Sequence, residues 1–313
     1  MNLRMSAGPH FVARESTQTL MLDVIIALIP TAAAGVYLFG IRAAWVLAVA
    51  VISAVLAEFI WQKLAKKPVR VGDLSAVVTG LILGLNMPSE VPLWLPAIGS
   101  FIAIILVKQL FGGIGHNFMN PAMLARGIML VSWPAQMTIY TLPVRVLGTT
   151  SVVPSPDAVS AATALIRPSA YSNYDLLIGN IPGTIGEVCK LAIIIGFLYM
   201  LFVGTISWQI PVTFVGSVAL LSWLLGSDPL VAVLSGGVLF GAVFMATDYV
   251  TNPMLKVGHL IFGIGCGVIV VVIRKFGSYP EGVTFAILIM NTVTPLIDRW
   301  TSRRVYGTVK KHA

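Results

Sequence analysis

The chain has 313 residues, of which 57% are hydrophobic and only 10% charged, with a mean hydropathy of +0.92. A soluble domain carries about 25% charged residues, so this composition excludes an ordinary soluble enzyme and indicates an all-α polytopic membrane protein. The net charge of +8 does not point to nucleic acid, because Lys and Arg lie mainly in short segments between apolar runs, where they set topology. Cys189 and Cys266 sit beside or inside apolar runs without the paired spacing of a metal or disulfide framework, and read as small buried hydrophobes.

Residues 1–19 form a polar N-terminal segment, and the first apolar run, at about 20–39, is long enough to span and is followed by many more. A second span is expected at about 43–61. The run Lys63-Leu64-Ala65-Lys66-Lys67-Pro68-Val69-Arg70 is the strongest basic cluster between spans, which makes this loop, and hence the N-terminus, cytoplasmic. A third span over about 74–87 breaks at Asn86-Met87-Pro88-Ser89-Glu90. A fourth, about 93–110, ends in the glycine-rich stretch Gly112 to Pro121, and a short fifth reaches about Trp133. Five crossings place the interval 134–186 outside the cytoplasm. Five more runs follow at about 187–206, 208–225, 229–247, 257–275 and 282–299, and return a basic tail, 300–313, to the cytoplasm. Arg274 and Lys275 fall on the far side in this count and speak against it.

The two halves, 20–133 and 187–299, look related. Gly80-Leu81-Ile82-Leu83-Gly84-Leu85 parallels Gly237-Val238-Leu239-Phe240-Gly241-Ala242, and each is followed by a proline-containing break, Asn86-Met87-Pro88 or Thr251-Asn252-Pro253. Phe111-Gly112 and Phe276-Gly277 align at the later hinges. An odd number of spans per repeat makes the second five-helix copy inverted, and folds of this kind place their sites at interrupted spans.

The interval 134–186 carries Asp157-Ala158-Val159-Ser160-Ala161-Ala162-Thr163, small and polar throughout. The Thr163 hydroxyl, flanked by alanines, is either an exposed loop or cap residue or an open modification site, with Asp157 and Ser160 as polar neighbours. Asn120-Pro121 reads as a helix start, a capping side chain before a first-turn proline. The amides of Asn117 and Asn120 can also donate to and accept from a polar ligand edge. Asp23, Glu58, Lys108, Arg126 and Asp248 fall in or at the ends of spans, where charges are functional candidates. Snorkelling suffices for Lys108 and for Asp23, whereas Arg126 calls for a carboxylate partner or a bound anion. There is no cysteine cluster for iron–sulfur centres, and no GxGxxG or P-loop for NAD or ATP.

The segment ending in Thr163 resembles the Asp-Gly-x-Ser-Gly-Ala-Thr signature of a flavin-bearing family, the RnfD/NqrB family. Its members are the D subunit of the Rnf ion-translocating oxidoreductase and the B subunit of the sodium-pumping NADH:quinone reductase. Ala158 and Ala161 stand where glycine is common. The opening Ser6-Ala7-Gly8-Pro9-His10, Gly112 to Pro121, Asp248 to Pro253 and Tyr279-Pro280-Glu281-Gly282 extend the likeness along the chain, whose length suits the Rnf branch. The resemblance implies FMN joined through its phosphate to Thr163 by a dedicated flavin transferase. It also implies a noncovalent riboflavin near Asn117 and Asn120, with Arg126 able to steady a reduced flavin.

The resemblance further implies a bacterial or archaeal cell-membrane complex, with the Rnf A, B, C, E and G subunits as partners. Such a complex passes electrons between ferredoxin and NAD and couples this to sodium or proton movement. A channel or secondary transporter for a small polar solute is the alternative, since inverted repeats and broken helices serve it equally well. A purely structural anchor for partner subunits is a third.

Overall fold

The computed structural model describes residues 16–143, 172–277 and 281–302, and among them the only regular structure is helical. Each of the ten apolar runs forms a helix or a pair of helical pieces, as a polytopic membrane protein requires, since in lipid the backbone must satisfy its own hydrogen bonds. Helix α1 (Thr17–Phe39) starts three residues earlier than its hydropathy suggests. Ser16 and Thr19 make a capping box in which the Ser16 Oγ accepts from the Thr19 N–H at 3.2 Å and the Thr19 Oγ1 accepts from the Ser16 N–H at 2.9 Å. Helix α2 (Ile41–Leu64) follows after Gly40 and stops at the basic cluster. Together with α12 (Lys256–Phe276) these are, among the described residues, the helices both long and apolar enough to cross a membrane unaided.

The third run is short. Helix α3 (Ser75–Leu85) has 11 residues, roughly 16 Å at 1.5 Å per residue, about half of a bilayer core. The chain beyond it is irregular but not exposed: Asn86, Met87 and Val91 are all buried. Its carbonyls are taken up by the end of the interval between the halves, since the Ile185 N–H donates to the Met87 carbonyl at 3.0 Å and the Gly186 N–H to that of Leu85 at 2.7 Å. Broken backbone at membrane depth survives here because a distant part of the chain covers it.

Helix α4 (Trp94–Phe101) runs on into a π-helical stretch, Ile102–Gln109, and α5 (Pro121–Ser132) completes the first half. In the second half, α8 (Lys190–Val203) packs on α1, and α9 (Gln209–Leu224) packs on α12. The eighth run breaks into α10 (Pro229–Leu234), a bend at Ser235–Gly237, α11 (Val238–Phe240) and a π-helical turn, Gly241–Met245. Helix α13 (Val283–Thr301) closes the chain against α12 and α5. One core, including Leu83, Leu85, Met123, Phe240 and Ile287, joins both halves.

The interval 134–186 is more than a polar loop. It contains α6 (Pro134–Met137) and α7 (Asn173–Ile178), and its Leu176, Ile181 and Ile185 are buried. Local signals create these pieces where hydropathy is silent. Pro134 occupies a first-turn position, Ser172 and Asp175 form a capping box, and Gly179 ends α7 at φ +102°. Asp157, Ser160 and Thr163 lie outside the described residues.

The contact of α9 with α12 depends on small residues. A Cβ added to Gly263 would collide with the Thr213 Oγ1, and one on Gly267 with the Ser217 Oγ. This is the small-xxx-small packing by which membrane helices approach closely. Gly267→Leu therefore forces the helices apart, and its melting midpoint in detergent should fall by an amount equivalent to about 3 kcal/mol or more. A wild-type melting curve would contradict the packing.

Candidate functional site

Asn120 links the two halves. Its Oδ1 accepts from the N–H groups of Ala122 (3.1 Å) and Met123 (3.3 Å), capping α5 ahead of Pro121, while its Nδ2 donates to the Met245 carbonyl at 3.3 Å. The asparagine–proline start is thus a true cap that also pins the end of a π-helical turn. Such turns recur at functional sites.

Asn117 is buried and its Oδ1 has no partner among the described residues. It forms a wall between two cavities. The first, about 90 Å³, is lined by Asn117, Asn120, Lys108, Ser75 and Asp248 with Val78, Ile82 and Phe244. The second, about 380 Å³, is lined by Asn117, Asn252, Asn291, Thr294 and Asp298. Asn291 is 2% exposed, and neither end of its amide has a partner among the described residues. Buried polar atoms without partners are uncommon in proteins, and these two amides face cavities. Asp248 serves as a turn cap, accepting from the Val250 N–H at 3.2 Å and the Thr251 hydroxyl at 3.4 Å.

Lys108 does not snorkel. Its side chain is 2% exposed, and its Nζ lies 2.7 Å from the Glu58 Oε1, itself on a carboxylate 2% exposed. The same Oε1 accepts from the Gln109 Nε2 at 2.7 Å and the Gln62 Nε2 at 3.2 Å, and Lys108 also donates to the Ser75 hydroxyl. An α2 carboxylate is thereby held by the π-helical stretch after α4, while the Glu58 Oε2 stays buried without a partner among the described residues. Asp23 is half-buried and accepts from the Tyr199 hydroxyl at 3.3 Å.

Of the two partners expected for Arg126, the structure supplies the carboxylate, twice over. Its Nη2 lies 3.3 Å from the Glu187 Oε1 and 3.1 Å from the Glu281 Oε2, and its Nη1 donates to the Thr284 hydroxyl at 3.0 Å. Arg126 does not line the cavities at Asn117. Around it, Lys190 donates to the carbonyls of Glu187 and Gly236, Arg274 to those of Ala232 and Ser235, and the Gly237 N–H to Glu281. Arg274 is therefore used inside the protein, holding the bend of the eighth run, which removes its weight as a topology charge.

The model of the NQR2, RnfD, RnfE family matches residues 4–307. The chain belongs to this family. Among its relatives is the D subunit of the Na⁺-translocating ferredoxin:NAD⁺ oxidoreductase complex of Acetobacterium woodii, to which it is 46% identical over 99% of its own length and 97% of the relative's. It is 39% identical to the D subunit of the proton-translocating ferredoxin:NAD⁺ oxidoreductase complex of Clostridium ljungdahlii, over 97% of this chain and 96% of that one. It is 37% identical to the D subunit of the ion-translocating oxidoreductase complex of Halorhodospira halophila, over 97% of this chain and 95% of that one.

For this NQR2, RnfD, RnfE family member, sequence reasoning missed the roles of Glu187, Lys190 and Arg274. Each stands at the edge of an apolar run, where a charge looks like a boundary marker. The count could have flagged the carboxylates alone: Arg126, buried in a span, requires them, and few besides Glu187 and Glu281 were left unassigned.

Proposed function

We propose that this chain is the D subunit of a membrane complex of the Rnf type, transferring electrons between ferredoxin and NAD⁺ and moving sodium or protons across the membrane. The observation that carries this reading is the near end-to-end match to relatives named for that complex. Two of those names specify different ions, so the class of cation, not the ion, is carried over. The partners are then the other subunits, and the basic loop after α2 and the basic tail face the cytoplasm.

In this reading Thr163 holds FMN through a phosphoester, its hydroxyl supplying the bridging oxygen, with Asp157 and Ser160 as polar neighbours on the far side. A second, noncovalent flavin lies by Asn117 and Asn120. The residues fit a polar planar ligand, because Asn117 and Asn291 present unpartnered amide atoms to their cavities. Ligand pockets run to about 300–1,000 Å³. The cavity at Asn120 falls short of that range and the neighbour at Asn291 meets it. A three-ring group thus draws mainly on the second cavity, with Asn117 between the two. A flavin supplies one- or two-electron chemistry, while this chain provides position and hydrogen bonds.

Flavin released on denaturation of the purified complex tests the second site. Asn117→Leu, which leaves the Asn120 cap intact, should weaken retention roughly tenfold, from the lost hydrogen bond and the unsatisfied ligand atom. Unchanged release would remove the flavin from this place. Solute flux into liposomes holding the chain alone would favour the channel reading, to which the broken helices are equally suited.

A further inference from the structure

The cavities and the charge cluster occupy successive layers of the same helices. Ala122 lines the first cavity and Arg126 lies four residues further along α5, about 6 Å at 1.5 Å per residue. Along α13, Thr284 touches Arg126 and Asn291 lines the second cavity, about 10 Å apart by the same rise. Between them stand buried Met123, Phe240 and Ile287. The cavities open at the end bearing residues 110–120 and 247–255. The cluster closes the opposite end, where α5, α8, α11, α12 and α13 converge on the bend at Gly237.

We propose that this cluster is the closed gate of the ion pathway, and that the Glu187–Glu281 pair receives the transported cation when Arg126 withdraws. This rests on the ion-translocating reading above. Three cations (Arg126, Lys190, Arg274) and two carboxylates leave one net positive charge, which repels a cation while the cluster is shut. The carboxylates are drawn together over Gly237: a Cβ there would lie 2.6 Å from the Oε1 of each, so the two oxygens stand within about 5 Å, near enough for one cation to replace the shared guanidinium. The carbonyls of Ser235 and Gly236 are held by Arg274 and Lys190, and the Ser235 Oγ and Arg274 Nε are buried without partners among the described residues. Water entering on opening would give these two atoms partners. Packed ionic clusters of this kind switch between discrete arrangements.

The complex in proteoliposomes, driven by reduced ferredoxin and NAD⁺ and monitored with a potential-sensitive dye, tests the gate. Arg126→Gln, which frees both carboxylates and takes the cluster's net charge from +1 to 0, and, independently, Gly237→Ala should raise passive leak of the coupling ion roughly tenfold or more and collapse the potential, while NADH forms at a near wild-type rate. Leak tested with sodium and with a pH step identifies the ion. Assembled variants with wild-type potential and leak would overturn the proposal. If wild-type vesicles build no potential, the translocating reading itself fails, a separate outcome. Should neither variant assemble, Ser235→Cys decides in an otherwise wild-type complex, since Ser235 is fully buried at rest. Labelling by a membrane-impermeant maleimide that accelerates during turnover supports the gate, and labelling indifferent to turnover overturns it.

Discussion

Glu58→Ala should destabilise the protein by about 3–5 kcal/mol, the cost of removing one partner of a buried ion pair and leaving the other charge stranded. Lys108 would keep only the Ser75 hydroxyl, and Gln62 and Gln109 would lose their shared acceptor. The double variant Glu58→Met with Lys108→Met should recover most of that loss, because a well-packed apolar replacement of a buried pair is often neutral or stabilising. Thermal or denaturant melting of the detergent-solubilised chain measures both. Were Lys108 instead reaching out to the membrane surface, Glu58→Ala would cost less than about 1 kcal/mol, and that result would refute the pairing.

Thr163→Ala should remove all flavin that survives denaturation and lower ferredoxin-dependent NAD⁺ reduction by the assembled complex at least about 100-fold, a barrier change of about 2.7 kcal/mol. On the proposed attachment, the alanine lacks the hydroxyl oxygen that bridges to phosphorus. Ser160→Ala and Asp157→Asn, which leave that oxygen in place, should reduce the yield of attached flavin without abolishing it. Thr163→Ser should retain part of it. Fluorescence of the chain in a denaturing gel, from a host that supplies the transferase, ranks the four. Equal fluorescence in Thr163→Ala would place the attachment elsewhere.

The spans were legible because lipid imposes one rule: an apolar run of sufficient length is helical. Most span ends follow hydropathy closely, and the Asn120-Pro121 start was written in two residues. The break of the eighth run at Ser235–Gly237 was not legible, since it depends on Lys190 on one side and on Arg274 and Glu281 on the other reaching it from distant parts of the chain. Lys108 was misread for the same reason. A lysine near a span end looks like a snorkelling residue until the carboxylate fifty residues earlier is seen beside it. The sequence brought Asn117 and Asn120 together, but Asn291, on α13, has no local signal and meets Asn117 at the second cavity only through the packing of that helix. Asp157, Ser160 and Thr163 rest on sequence alone, as they lie outside the described residues.

The measurement to make is fragmentation mass spectrometry of the Thr163 peptide from the chain purified out of a host that carries the flavin transferase. A flavin-bearing membrane protein predicts that this peptide is heavier by one FMN less one water, with the added mass localised to Thr163. An unmodified peptide at full occupancy would contradict the covalent flavin and, with it, the electron-carrying role proposed for the segment around Thr163.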